Sequence, residues 1–170
     1  MKKAIFFDRD GIVNYRPVGD YIMNIQEFRF TPDFFDFFTK IKQDGYLAIL
    51  VSNQQGVGKG LMSEDDLLFL NEFMQNELLT HTGLKFDDTY YCIALAEENS
   101  PRRKPEPGML LEAIDDWDIA PEQSWLIGDS PSDIIAGKRA GVKTIFVTNE
   151  PVPEELEPDV VCKSLAEIEI

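Results

Sequence analysis

Residues 1–14 read MKKAIFFDRDGIVN. The apolar run Ala4–Phe7 passes straight into Asp8-Arg9-Asp10-Gly11. A strand apolar at every position is covered on both faces, which is the habit of parallel sheets. Strand residues alternate faces, so a strand continuing through position 10 would point Asp8 and Asp10 the same way. Two like charges on one face repel. Either both are solvated, or something positive sits between them.

Working outward, apolar β-prone runs alternate with helical patterns. Strands are expected at Lys3–Asp8, Tyr46–Val51, Thr89–Ala94, Ser124–Ile127 and Lys143–Val147, with a short sixth at Val160–Val161. Thr31 as N-cap and Pro32 at the first position open a helix that Gly45 ends. Its stripe of Phe34, Phe38 and Ile41, with Phe35 and Phe37, reads as core packing. A long helix starts at Ser63, where Asp66 completes a capping-box pattern, and runs to about His81. Further helices follow Pro107 and Ser130-Pro131, the latter stopping at Gly141. This alternation predicts a three-layer α/β fold, a central parallel sheet flanked by helices, as one domain over 1–170.

The bulk composition narrows the function. The chain has 170 residues, 44% hydrophobic and 28% charged, an ordinary globular balance. Its formal net charge of −15 argues against nucleic acid and anionic membrane as partners. Cys92 and Cys162 form no disulfide framework or CxxC pair. No signal-peptide pattern or apolar run of about 18 residues is present, so a cytoplasmic protein is expected.

In open parallel sheets, ligands bind beyond the carboxyl ends of the strands. Polar groups collect there: Asp8 and Asp10 after strand one, Ser52 and Asn53 after strand two, Lys104 after strand three, Asp129 and Asp133 after strand four. Carboxylates alone would repel. With Mg²⁺ they make an oxygen-ligand site of the kind that also takes substrate phosphate. Lys104 and the Ser52 hydroxyl could grip phosphate oxygens, one carboxylate could act as nucleophile, and a second could carry protons.

The set DxDG, Ser-Asn, Lys and GDxxxD, in this order at successive strand ends, resembles the haloacid dehalogenase (HAD) superfamily of phosphohydrolases. The stretches DRDGIVN, SNQQGVGKG, RRKPEPGM and IGDSPSD are similar to DRDGxxN, (S/T)NQxGxxRG, CRKPxPGM and GDxxxD of its heptose-bisphosphate and histidinol-phosphate phosphatase branch. The resemblance implies Asp8 as the nucleophile that accepts the phosphoryl group. It implies Asp10 as general acid/base, giving its backbone carbonyl to Mg²⁺. Ser52 would contact the phosphoryl with Asn53 nearby, and Lys104 would neutralise charge. Asp129 would ligate Mg²⁺ with Asp133 in support. Asn14, Gln54, Gln55, Lys59 and Arg103 would face substrate, with Lys59 replacing the usual arginine. The implied substrate is a small phosphorylated metabolite, first D-glycero-D-manno-heptose 1,7-bisphosphate, alternatively histidinol phosphate or another small ester. The implied protein is a monomer.

That branch usually carries a structural zinc on CxH and CxC pairs. Here the first pair reads Cys92-Ile93-Ala94, and the later cysteines fall at Ser100 and Arg102. Three of four ligands are gone, so no zinc is expected and Cys92 reads as a small hydrophobe. Pro101 and Pro105 are expected to order the loop instead. His81 has no partner in any motif. The connections leave no room for a cap domain, so an open site is expected, shaped by loops 14–24, 54–61 and 97–103. A signalling receiver domain would also combine acidic residues, Mg²⁺ and a lysine, but its acceptor follows a middle strand and its lysine the last. A P-loop reading of GVGKG fails because Gly60 follows the lysine.

Overall fold

The computed structural model describes residues 1–17 and 21–170. Six parallel strands form one sheet in the order β3-β2-β1-β4-β5-β6. They are β1 (Ala4–Phe7), β2 (Leu47–Asn53), β3 (Asp88–Cys92), β4 (Trp125–Gly128), β5 (Lys143–Val147) and β6 (Val160–Cys162). The helices are α1 (Phe34–Gln43), α2 (Gln55–Gly58), α3 (Glu64–Thr82), α4 (Gly108–Trp117) and α5 (Pro131–Ala140). The order reverses direction at β1/β4, the switch point where such sheets open a crevice.

Alternation along the strands feeds two cores. Ile5 and Phe7 of β1, with Ala48 and Leu50 of β2, join the side chains of α1 and α3. Ala4 and Phe6, with Ile49 and Val51, join those of α4 and α5. Phe7 sits edge-on to Phe34 at 5.8 Å and to Phe86 at 5.6 Å, so the phenylalanine stripe of α1 is core. These pairs add a geometric preference to simple burial.

Helix punctuation explains most boundaries. Ser63 caps α3 through a reciprocal box with Asp66, and Gly83 closes it in the left-handed conformation. Ser130 and Asp133 form the same box on α5, which ends at Gly141. Thr31 is not the N-cap of α1; Asp33 is. The Thr31 hydroxyl donates to the Ile12 carbonyl at 2.8 Å and its amide to Val13, so it fastens the loop after β1 and the helix starts later. Strand β2 runs two residues past its expected end, because Ser52 and Asn53 pair with Tyr91 and Cys92 of β3.

Asp8 and Asp10 line one cavity, as a shared face would have them, but the chain between them is a turn and not a strand. β1 stops at Phe7, and the amides of Ile12, Val13 and Asn14 all turn back to the Arg9 carbonyl. The two carboxylates face the same cavity with different hydrogen-bond partners. Among the described residues no helix is long and apolar enough to cross a membrane. Val18, Gly19 and Asp20, part of the loop expected over 14–24, lie outside the described residues.

Candidate active site

The crevice over β1 and β4 is a polar cavity of about 280 Å³ lined by residues that include Asp8, Asp10, Arg16, Arg103, Lys104 and Asp133. Lys104 is 3% exposed, and its ammonium donates to Asp8 Oδ1 at 2.8 Å, Asp133 Oδ1 at 2.7 Å and the Val51 carbonyl at 2.8 Å. An ammonium has three donors, so all are engaged by the protein. Lys104 thus acts on its surroundings through charge and by fixing Asp8. Asp133 is anchored twice more, its Oδ2 accepting from the amide and the hydroxyl of Ser130. Gly128 makes that possible, since a Cβ there would fall on Asp133.

Asp8, Asp129 and Asp133 each bring a carboxylate oxygen within 4.8 Å of the others. Burial and then the charge of Asp133 push the Asp8 carboxyl up to about 7, against the pull of Lys104. Burial also raises Asp129, although Arg16 opposes it. Burial tends to strip the proton from Lys104, but Asp133 and Asp8 outweigh it and hold the ammonium above the usual lysine range. Gly11, at φ +95°, lies where a Cβ would collide with the Asp129 carboxylate. The backbone of the DG pair is thus pressed against Asp129, and hard oxygen ligands converge with too little positive charge. This donor set fits a divalent cation such as Mg²⁺.

Asp10 is different. Its Oδ1 accepts from Arg9 Nε and Nη2, both at 3.2 Å, and from Asn14 Nδ2 at 2.9 Å. Its Oδ2 accepts from Gln54 Nε2 at 3.0 Å. Burial alone would raise this carboxyl, but Arg9, Asn14 and Gln54 win and lower it. Gln54 is also tied to Arg9 and to the Ser52 hydroxyl. Asn14, Ser52 and Gln54 are all buried and hold Asp10 or one another, and none lines the cavity. Asn53 brackets the main chain of Lys104, donating to its carbonyl and accepting from its amide. Gln55 and Arg103 line the cavity, whereas Lys59 lies over the Tyr21 ring at 5.3 Å.

In this geometry a buried carboxylate, a charge-balancing lysine and a candidate cation site meet at one sheet edge. A HAD-hydrolase-like family model matches residues 101–168. The D-glycero-β-D-manno-heptose-1,7-bisphosphate 7-phosphatase of Pasteurella multocida is 38% identical, over 99% of this chain and 95% of that one. The chain belongs to the HAD-like hydrolases, among their phosphatases. The α-heptose counterpart from Burkholderia mallei is 41% identical over 85% of this chain and 79% of its own. A heptose bisphosphate phosphatase from B. bronchiseptica, solved with magnesium and phosphate, superposes with a TM-score of 0.86 at 25% identity, over 96% of this chain and 94% of that one.

Several residues of this HAD-like hydrolase escape a reading of the sequence alone. Arg9 stood in plain view between the two aspartates, and its buried guanidinium is the cation that Asp10 uses. Ser130 and Ser132 enter the cavity from the cap of α5. Arg16 reaches Asp129 across 113 residues of sequence, which no local pattern reveals. His81, in the last turn of α3, bonds the Glu77 carbonyl and stacks on Phe35 at 4.5 Å, away from the site. In the loop after β3, Cys92 is buried with its sulfur 3.9 Å from the Ser100 hydroxyl, and Arg102 bridges the Tyr91 carbonyl and Glu112.

Proposed function

We propose that the protein is a Mg²⁺-dependent phosphomonoesterase that removes the 7-phosphate of D-glycero-D-manno-heptose 1,7-bisphosphate through a phospho-aspartate on Asp8. The observation that carries this reading is Lys104 bridging the buried Asp8 and Asp133 beside the half-buried Asp129. The full-length similarity to heptose bisphosphate phosphatases supports the substrate.

Asp8 attacks phosphorus, and the ester P–O bond breaks as Asp10 gives its proton to the departing sugar oxygen. The donors around Asp10 favour its carboxylate. A substrate phosphate that enters as the monoanion supplies the proton needed for the first half. In the second half Asp10 takes a proton from water, which attacks phosphorus and breaks the bond to Asp8, releasing phosphate. Lys104 keeps Asp8 oriented and offsets negative charge in a dry site, where such charge counts most. Arg103 and Gln55 face the incoming phosphate from the cavity wall, while Lys59 and Asn53 shape its rim. Asn14, Gln54 and Ser52 position Asp10. Asp8, Asp129 and the Asp10 carbonyl would hold Mg²⁺ with Asp133 in support, and the ion would supply Lewis acidity to the transferring phosphoryl group.

We place the protein in the cytoplasm as a single-domain, zinc-free monomer over 1–170, with no nucleic-acid or membrane partner. Phosphate release should be measured from both anomers of the bisphosphate, from histidinol phosphate and from other sugar phosphates, with and without Mg²⁺. The heptose bisphosphate should give the highest kcat/KM, and Asp8→Asn should reduce turnover on the order of 10⁴-fold or more. Preference for another ester would overturn the substrate, and wild-type rates from Asp8→Asn would overturn the mechanism.

A further inference from the structure

Arg16 occupies a telling position. Its guanidinium grips Asp129 with two bonds, Nη2 to Oδ1 at 2.6 Å and Nε to Oδ2 at 3.1 Å. The same Nη2 lies 3.4 Å from the backbone carbonyl of Asp10. One planar cation thus spans two of the oxygen groups assigned above to Mg²⁺. Yet the side chain is half exposed although its guanidinium is anchored. Lys104, in contrast, is closed in on every side.

We propose that Arg16 is the resident counter-ion of the cation site and exchanges with the divalent ion, leaving Asp129 when the metal binds. This inference rests on the proposed Mg²⁺ site. Both cations call on the same oxygen groups, the Asp129 carboxylate and the Asp10 carbonyl. A fork-shaped guanidinium takes one lone pair on each oxygen of Asp129 while its Nη2 also reaches the Asp10 carbonyl, so its positive charge stands among the oxygens the ion would need. Charge balance favours the exchange. With all three carboxylates ionised, they carry one net negative charge together with Lys104 and Arg16. Replacing Arg16 by a divalent ion brings the group to neutrality, whereas adding the ion beside Arg16 would leave it positive. Without Arg16 the empty site would hold three crowded carboxylates against one lysine, a strongly repulsive state. The arginine therefore stabilises the empty protein and weakens apparent metal affinity, since each metal ion must first displace it.

The test is calorimetric titration of Mg²⁺ into metal-free wild type, Arg16→Gln and Asp129→Asn, together with thermal denaturation of each with and without Mg²⁺. Arg16→Gln should bind Mg²⁺ about fivefold more tightly, the ordinary worth of a partly exposed ion pair. It should melt lower than wild type without metal and close to it at saturation. In ¹⁵N-arginine-labelled wild type, the Arg16 Nε–H signal, assigned by its loss in Arg16→Lys, should shift as Mg²⁺ is added. Unchanged or weaker binding by Arg16→Gln, while Asp129→Asn abolishes binding, would overturn the exchange and leave the metal site intact. Binding unaffected by Asp129→Asn would remove the metal site itself, and the exchange with it.

Discussion

Asp8 and Asp10 are two residues apart and chemically far apart. Around Asp8, three carboxylates share Lys104 and the half-exposed Arg16, and burial drives the Asp8 carboxyl up to about 7. Around Asp10, one carboxylate accepts from a buried arginine and two side-chain amides, and its pKa is depressed. The first neighbourhood is short of positive charge and suited to receive a cation and a phosphoryl group. In the second the carboxylate is met by donors on both oxygens, which fixes it in place. In the proposed mechanism a crowded carboxylate and a cradled one, side by side, take two roles with one residue type.

The sharpest way to break this contrast is to remove the lysine shared by the crowded side. Lys104→Ala should lower kcat on the order of 10²–10³-fold, as expected for loss of a charge that matters in the transition state. It should also cost about 3–5 kcal/mol of stability, because Asp8 and Asp133 are left buried without their partner. Lys104→Met, which keeps the volume, should show the same loss of kcat. Steady-state kinetics and urea denaturation read both. A rise in KM alone would mean that Lys104 only binds substrate.

The contrast was half legible from the sequence. The order of strand ends and the apolar strands placed Asp8, Lys104, Asp129 and Asp133 at one crevice, because parallel topology gathers the strand ends whatever the loops do. The split between the aspartates was not legible. It depends on the strand stopping at Phe7 and on the turn back to the Arg9 carbonyl, which alternation along a strand does not anticipate. Asn14 and Gln54 read as substrate-facing because they lie in the right loops, yet both turn inward to satisfy Asp10. Thr31 read as a cap, but the same hydroxyl serves tertiary closure of the loop.

A pH series sharpens the comparison with a smaller effect. The Asp8 carboxyl goes from its ordinary 3.8 to about 7 in the folded, metal-free protein. Between these values the folded state holds a proton that the unfolded state has lost. The stability from this group is therefore full below about 4 and is lost as pH rises through about 7. A cation at the site competes with that proton. The rise in Tm produced by Mg²⁺ should be larger at pH 8 than at pH 5.5, as scanning fluorimetry can show. Asp8→Asn should flatten the difference, whereas an equal Mg²⁺ effect at both pH values would show that Asp8 is not part of the cation site.

The smallest effect is expected on the solvent side of the loop that carries Arg103 and Lys104. There Arg102 donates to the Tyr91 carbonyl at 2.9 Å and to Glu112 at 2.8 Å, joining the end of β3 to α4. The Ser100 hydroxyl accepts from the Arg102 amide, the Pro101 carbonyl from the Gly108 amide, and the Ala94 carbonyl from Arg103. Proline stiffness is thus not the only source of order; an arginine fork staples the loop at both sides. The staple is 39% exposed at Arg102 and 42% at Glu112, so it is worth about 0–1 kcal/mol, far below a buried pair. Arg102→Ala should leave kcat nearly unchanged, since Asn53 still brackets the Lys104 main chain. It should raise KM by about two- to threefold, the kinetic equivalent of such a pair, because Arg103 loses the firm loop that aims it into the cavity. Amide hydrogen exchange over 95–103 should quicken while β1 stays protected. A fall in kcat as large as that of Lys104→Ala would show that the loop and the buried carboxylates form one cooperative unit, and the distinction between a surface staple and a buried charge pair would collapse.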